Sequence, residues 1–78
     1  MDNNRLYFDY DKMGDILYIS KVKSYSDQES DEIEDGIIAR FNPKNNEIES
    51  IEILSFSKRL ENDKSFSIPI MAKLIKFS

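Results

Sequence analysis

Asp9, Asp11 and Asp15 put three carboxylates within seven residues, a density of oxygen that a hard cation such as calcium or magnesium would accept. They lack the spacing of a calcium-binding helix–loop–helix, and aspartates also serve ordinary turns. They stand as weak candidates for a divalent metal; no bound cofactor is expected. Glu52, between Ile51 and Ile53, is the other carboxylate of interest. On a covered face it needs a cationic partner, which Arg40, Lys58 or Arg59 can supply. A catalytic role would need a second acid, base or nucleophile beside it, and none is evident.

The wider inventory narrows the chemistry further. The 78 residues include no histidine and no cysteine, which removes the commonest general base, thiolate chemistry and the usual zinc ligands together. There is no glycine-rich phosphate loop. No catalytic residue is assigned, and an enzyme is not expected. Tyr7, Tyr10, Tyr18 and Tyr25 offer hydroxyls, but strand tyrosines mostly pack with a wet tip. Lys58, Arg59 and Lys64 form a small basic patch. The formal net charge is −4. Residues 1–36 carry four basic and ten acidic side chains, residues 37–78 seven basic and five acidic. So acidic a chain is not expected to bind nucleic acid on its own. No leader is expected in residues 1–5, nor any apolar run near the roughly twenty residues of a membrane span. The absence of cysteine points weakly to a reducing compartment. A cytoplasmic protein, away from membranes, is the expectation.

The elements that would position these groups follow from period and turn chemistry. Residues 5–10 and 16–21 alternate in the two-residue period of strands around a polar, glycine-containing loop, where Gly14 can take a positive φ. Residues 37–41 and 48–54 make a second hairpin around Asn42-Pro43-Lys44-Asn45-Asn46, with Asn45 or Asn46 suited to the left-handed closing position. Between the hairpins, residues 24–35 read as an exposed acidic connection. Six of the nine residues from Asp27 to Asp35 are acidic, with at most a short edge pairing near Glu32 to Glu34. The run could dock on a basic protein surface or mimic a phosphate backbone; the plainer reading is a solvated, self-repelling loop. After Leu54 at most one helical turn is expected, with Ser57 as its cap. Ile70, Met71, Leu74, Ile75 and Phe77 then follow Pro69 at helical spacing and predict an amphipathic helix over 69–77. The expected fold is one α+β domain over 1–78, a four-stranded antiparallel sheet of two hairpins with this helix on one face.

Such a sheet carries apolar residues on both sides. Leu6, Phe8, Leu17, Ile19, Ile37, Ala39, Phe41, Ile51 and Ile53 fall on one face, in whichever cross-strand phase the turns set; Tyr7, Ile16, Tyr18, Ile38, Ile48 and Leu54 fall on the other. A single short helix covers one face, so the second is expected to meet another copy or a partner. Tyr7, Tyr18, Ile38, Glu52, Lys58 and Arg59 are the candidate contact residues, and a homodimer is the expected assembly.

Several short motifs resemble a small prokaryotic family, domain of unknown function 2283. They are Tyr10-Asp11 with Asp15 and Leu17-Tyr18-Ile19, then Asp35-Gly36-Ile37, then Ser50-Ile51-Glu52-Ile53-Leu54, and finally Ser57-Lys58-Arg59-Leu60. The resemblance runs from about Tyr7 to Leu60, with Ser50 where a glycine is common. It implies no established catalytic activity. It also implies a likeness to the smaller partner of a compact toxin-like protein, hence an antitoxin-like regulator. The alternative function is a sensor of a small ligand or divalent metal using the turn aspartates.

Overall fold

The computed structural model describes residues 5–77; the opening residues 1–4, part of the stretch where no leader is expected, lie outside it with residue 78. Five strands form one sheet: β1 (Tyr7–Asp11), β2 (Ile16–Ser20), β3 (Glu29–Glu34), β4 (Ile37–Phe41) and β5 (Ile48–Leu54). Their spatial order is β1-β2-β5-β4-β3, and every neighbouring pair is antiparallel. Among the described residues a single helix, α1 (Phe56–Asn62), follows the sheet. β4 and β5 occupy the expected spans; β1 begins two residues later than expected.

The fifth strand corrects the expected count of four. Glu29–Glu34 pairs with β4 along its whole length, with a register shift that leaves Ile33 unmatched and packed against the core. Acidic residues are poor strand formers where a face must be buried, which hid this strand in the sequence. At a sheet edge the cost vanishes, because the carboxylates stay in water while the backbone groups pair. A charged edge strand also discourages association through its open side.

The predicted helix over 69–77 is absent. Residues 71–77 have no regular structure, and the helix lies at Phe56–Asn62 instead. The competing signal is a two-residue period in the preceding segment. Phe66, Ile68 and Ile70 are half-buried against the core while Ser65, Ser67 and Pro69 are exposed. An extended chain delivers that pattern, and a nine-residue helix is too short to outweigh it unaided. Beyond Ile70 the tail lies open, with Met71, Leu74, Ile75 and Phe77 all exposed.

The core is thin. Ile37, Ala39, Ile51 and Ile53 are its buried apolar residues. Register aligns them in two rows across the sheet, Tyr10–Leu17–Ile53–Ile37 and Phe8–Ile19–Ile51–Ala39. The expected inward face is therefore correct over these residues. Phe56, Phe66, Ile68 and Ile70 pack on the same side. Ile48 departs from expectation. Arg40 pairs with Ser50 but Phe41 with Ile48, leaving Glu49 as the extra residue of a bulge. A bulge re-aims the chain locally, and Ile48 packs against the core instead of the opposite face.

Turn geometry follows the side chains available. Asn46 takes the left-handed conformation (φ 61°) in the second hairpin. In the first hairpin Asp15 (φ 55°), not Gly14, holds the positive φ. Gly36 (φ 76°) turns the chain from β3 into β4, and a Cβ there would collide with the Arg59 guanidinium. Gly36→Ala is therefore expected to lose about 1–2 kcal/mol for the left-handed backbone alone, and more for the clash. Urea unfolding followed by circular dichroism measures it.

Candidate functional site

Three side-chain constructions and one open face carry the polar chemistry. The first is built on Asp15, placed by its left-handed backbone between the first hairpin and α1. Its Oδ1 accepts hydrogen bonds from Tyr10 Oη at 2.6 Å and from the Ser57 amide at 3.0 Å. Its Oδ2 accepts from Ser57 Oγ at 2.8 Å, and its carbonyl accepts from the Phe56 amide at 3.0 Å. Ser55, the residue before α1, makes no side-chain cap bond. Ser57 is not the cap either: it is the donor, and Asp15 caps the helix from 42 residues away. The Tyr10 hydroxyl, then Ser57, holds the Asp15 carboxyl below its usual range, and the carboxylate in turn raises the Tyr10 phenol. Tyr10 also meets Phe56 edge-on, with ring centroids 6.0 Å apart.

Arg59 makes the second. Its guanidinium donates to the Leu54 and Asp35 carbonyl oxygens and lies 5.7 Å from the Phe66 ring centroid. Arg59 thus joins α1 to the end of β5, the β3–β4 turn and the chain that covers the core.

The third went unseen in the sequence. Glu49, 9% exposed, is the one buried charged side chain among the described residues. It accepts from Tyr25 Oη at 2.6 Å and Gln28 Nε2 at 3.1 Å. Those bonds, Tyr25 first, hold the Glu49 carboxyl below its usual range, and Glu49 pushes Tyr25 up to about 12. Strand alternation was the available signal, since Glu49 shares the period of Ile51 and Ile53. Its partners were not visible, because they lie in a loop more than twenty residues away.

A domain-family match fits this geometry. The profile of the family described as "Protein of unknown function (DUF2283)" matches residues 8–57. The chain belongs to that family. No curated protein and no solved structure gives a match. In this DUF2283 chain, Tyr10, Asp15 and Ser57 from the recognised motifs form one hydrogen-bonded unit, and Asp35, Gly36 and Arg59 meet in another. The motifs describe how the hairpins and the helix are fastened.

The three aspartates do not converge. Asp15 is engaged as above, Asp11 Oδ1 accepts from the Gly14 amide at 3.1 Å, and Asp9 pairs with Tyr18 on the sheet. Among the described residues no three acidic, histidine or cysteine side chains could hold a metal ion together. Nor is any helix among them long and apolar enough to cross a membrane.

The sheet face opposite the core does collect most of the candidate contact residues. Register runs Asp9–Tyr18–Glu52–Ile38–Glu32 from β1 to β3, and the adjacent row contains Tyr7, Ser20, Ser50, Arg40 and Ser30. Tyr7, Tyr18, Ile38 and Glu52 are each half-buried. Glu52 pairs with Arg40 at 3.3 Å, one of its three candidate partners. Asp9, Tyr18, Arg40 and Glu52 line a shallow groove of about 370 Å³, rimmed by residues 22–24. The structure separates Lys58 and Arg59 from this set, because both sit on α1. Lys58 is exposed there, and Arg59 is engaged by backbone carbonyls.

Acid should loosen this construction. Asp15 and Glu49 sit below their ordinary values of 3.8 and 4.5, so the unfolded chain takes up their protons first as pH falls. Their contribution is complete above that range and is lost as pH drops through the lower folded values. Melting temperature is expected to fall between about pH 5 and pH 3, and less steeply in Asp15→Asn and Glu49→Gln. Tyr25 behaves oppositely: its bond to Glu49 is kept below pH 10 and lost as pH rises through about 12. Ultraviolet titration should therefore show Tyr25 and Tyr10 ionising late, with Glu49→Gln returning Tyr25 alone toward the ordinary range.

Proposed function

We propose that this DUF2283 protein is a non-enzymatic interaction module, acting as the antitoxin-like regulatory partner of a small neighbouring protein in the cytoplasm and working as a homodimer. The observation that carries the reading is the sheet face opposite the core. α1 and the segment from Phe66 to Ile70 both pack on the core side. Tyr18, Ile38 and the Arg40–Glu52 pair are left on a surface that a flat partner can approach. Aromatic and arginine side chains of this kind are enriched among residues that dominate binding energy. The titratable groups with displaced pKa values are all tied into the fold, a use of shifted carboxylates that needs no substrate. The toxin-partner role comes from the family resemblance, by analogy.

The test is co-purification of the tagged chain from its native host, repeated with Tyr18→Asp and Ile38→Asp. A stoichiometric protein is expected to accompany the parent chain, with affinity for it reduced at least about tenfold by either substitution. Both sites are part-exposed, so circular dichroism should stay unchanged. Retention of the partner by both variants would sink the assignment of this face.

A further inference from the structure

We infer that the β1 edge is where two copies of this chain join, by antiparallel pairing of β1 with β1 of a second copy about a two-fold axis at Phe8. This deepens the reading of the protein as a self-associating module and rests on it.

The sheet has two edges, β1 and β3. β3 carries Glu29, Asp31, Glu32 and Glu34, so two β3 edges brought together would set like charges face to face. Joining β1 of one copy to β3 of the next would also oppose acidic strands, and it would build a ring or an open chain of copies rather than a two-fold pair. β1 against β1 is the remaining pairing. Its apolar side is unfinished: Phe8 (64% exposed) and Tyr10 (47%) sit on the row positions that continue the buried face outward, and Leu6, just before the strand, is 50% exposed.

Charge and apolar overlap together select the register, since an axis through Tyr7 would pair Leu6 with Phe8 but leave Tyr10 outside the seam. An axis through Asp9 would place the two Asp9 carboxylates directly opposite each other, which is destabilising. An axis through Phe8 sets Phe8 against Phe8, Leu6 against Tyr10, Tyr7 against Asp9 and Arg5 against Asp11. Two Arg5–Asp11 pairs then bracket the seam, and the apolar residues all fall on the core side. Arg5 lies 5.6 Å from the Phe77 ring centroid. A guanidinium can keep its face on a ring while its edge donates to a carboxylate. Phe77, itself 63% exposed, brings the open apolar tail to the same border.

The native chain has no cysteine, so single cysteines report the seam cleanly. Sedimentation of the full chain at high micromolar concentration is expected to show a dimer. Mild oxidation should cross-link Phe8→Cys, and not Asp31→Cys on the other edge. Arg5→Glu should raise the dimer dissociation constant about tenfold, two pairs being reversed, without changing the circular dichroism. A dimer that Phe8→Cys fails to cross-link, that Asp31→Cys does cross-link, or that Arg5→Glu leaves equally tight overturns the β1 seam while self-association stands. A monomer at that concentration overturns both.

Discussion

The fold depends on the central strand β5 having an apolar neighbour on each side at the same level. Ile53 lies between Leu17 and Ile37, and Ile51 between Ile19 and Ala39. Those two rows hold the four buried apolar side chains among the described residues. Removing one large core side chain typically costs ~2–5 kcal/mol, against a total stability of ~5–15 kcal/mol for an ordinary domain. A chain of this size sits low in that range, so truncating Ile37, Ile51 or Ile53 takes away a large share of it. The remainder of the structure keeps water from the two rows.

That work is done by fasteners with little apolar content of their own. α1 spans seven residues and buries none of them fully. It holds its place because Asp15 caps its start while Arg59 ties its flank to Leu54 and Asp35. Both ties reach between segments distant in the chain, so each closes a loop and orients a helix with a few charge-assisted hydrogen bonds. Glu49 does the same on the other side of the sheet's end, holding Tyr25 and Gln28 of the connection that leads into β3. A carboxylate buried by a bulge would be costly alone; two donors reduce that cost.

The two sheet faces therefore have different fates. The core face receives α1 and the segment through Ile70, and the tail beyond stays open over a groove of about 720 Å³. The opposite face keeps tyrosines, an isoleucine and an ion pair in register across four strands. The proposed interaction module would use that mixture, aromatic bodies giving contact area and the Arg40–Glu52 pair giving direction.

The sequence by itself determined the four apolar-patterned strands, their pairing into two hairpins, the inward face over Leu17, Ile19, Ile37, Ala39, Ile51 and Ile53, and the family. Each depends on residues within a few positions of one another, where a two-residue period and turn chemistry act directly. It also placed Tyr7, Tyr18, Ile38 and Glu52 on one surface, since alternation on neighbouring strands requires it. Tertiary structure alone decided that the acidic run is a strand, because an edge position removes the penalty its composition implies. Tertiary structure likewise set the helix at Phe56 and left 71–77 without one: Asp15 supplies a distant cap, and the core accepts Phe66, Ile68 and Ile70 as extended chain. The cap that fixes the helix joins residues 42 apart, and only packing on the core decides between the two-residue period of Phe66, Ile68 and Ile70 and the helical spacing that follows Pro69.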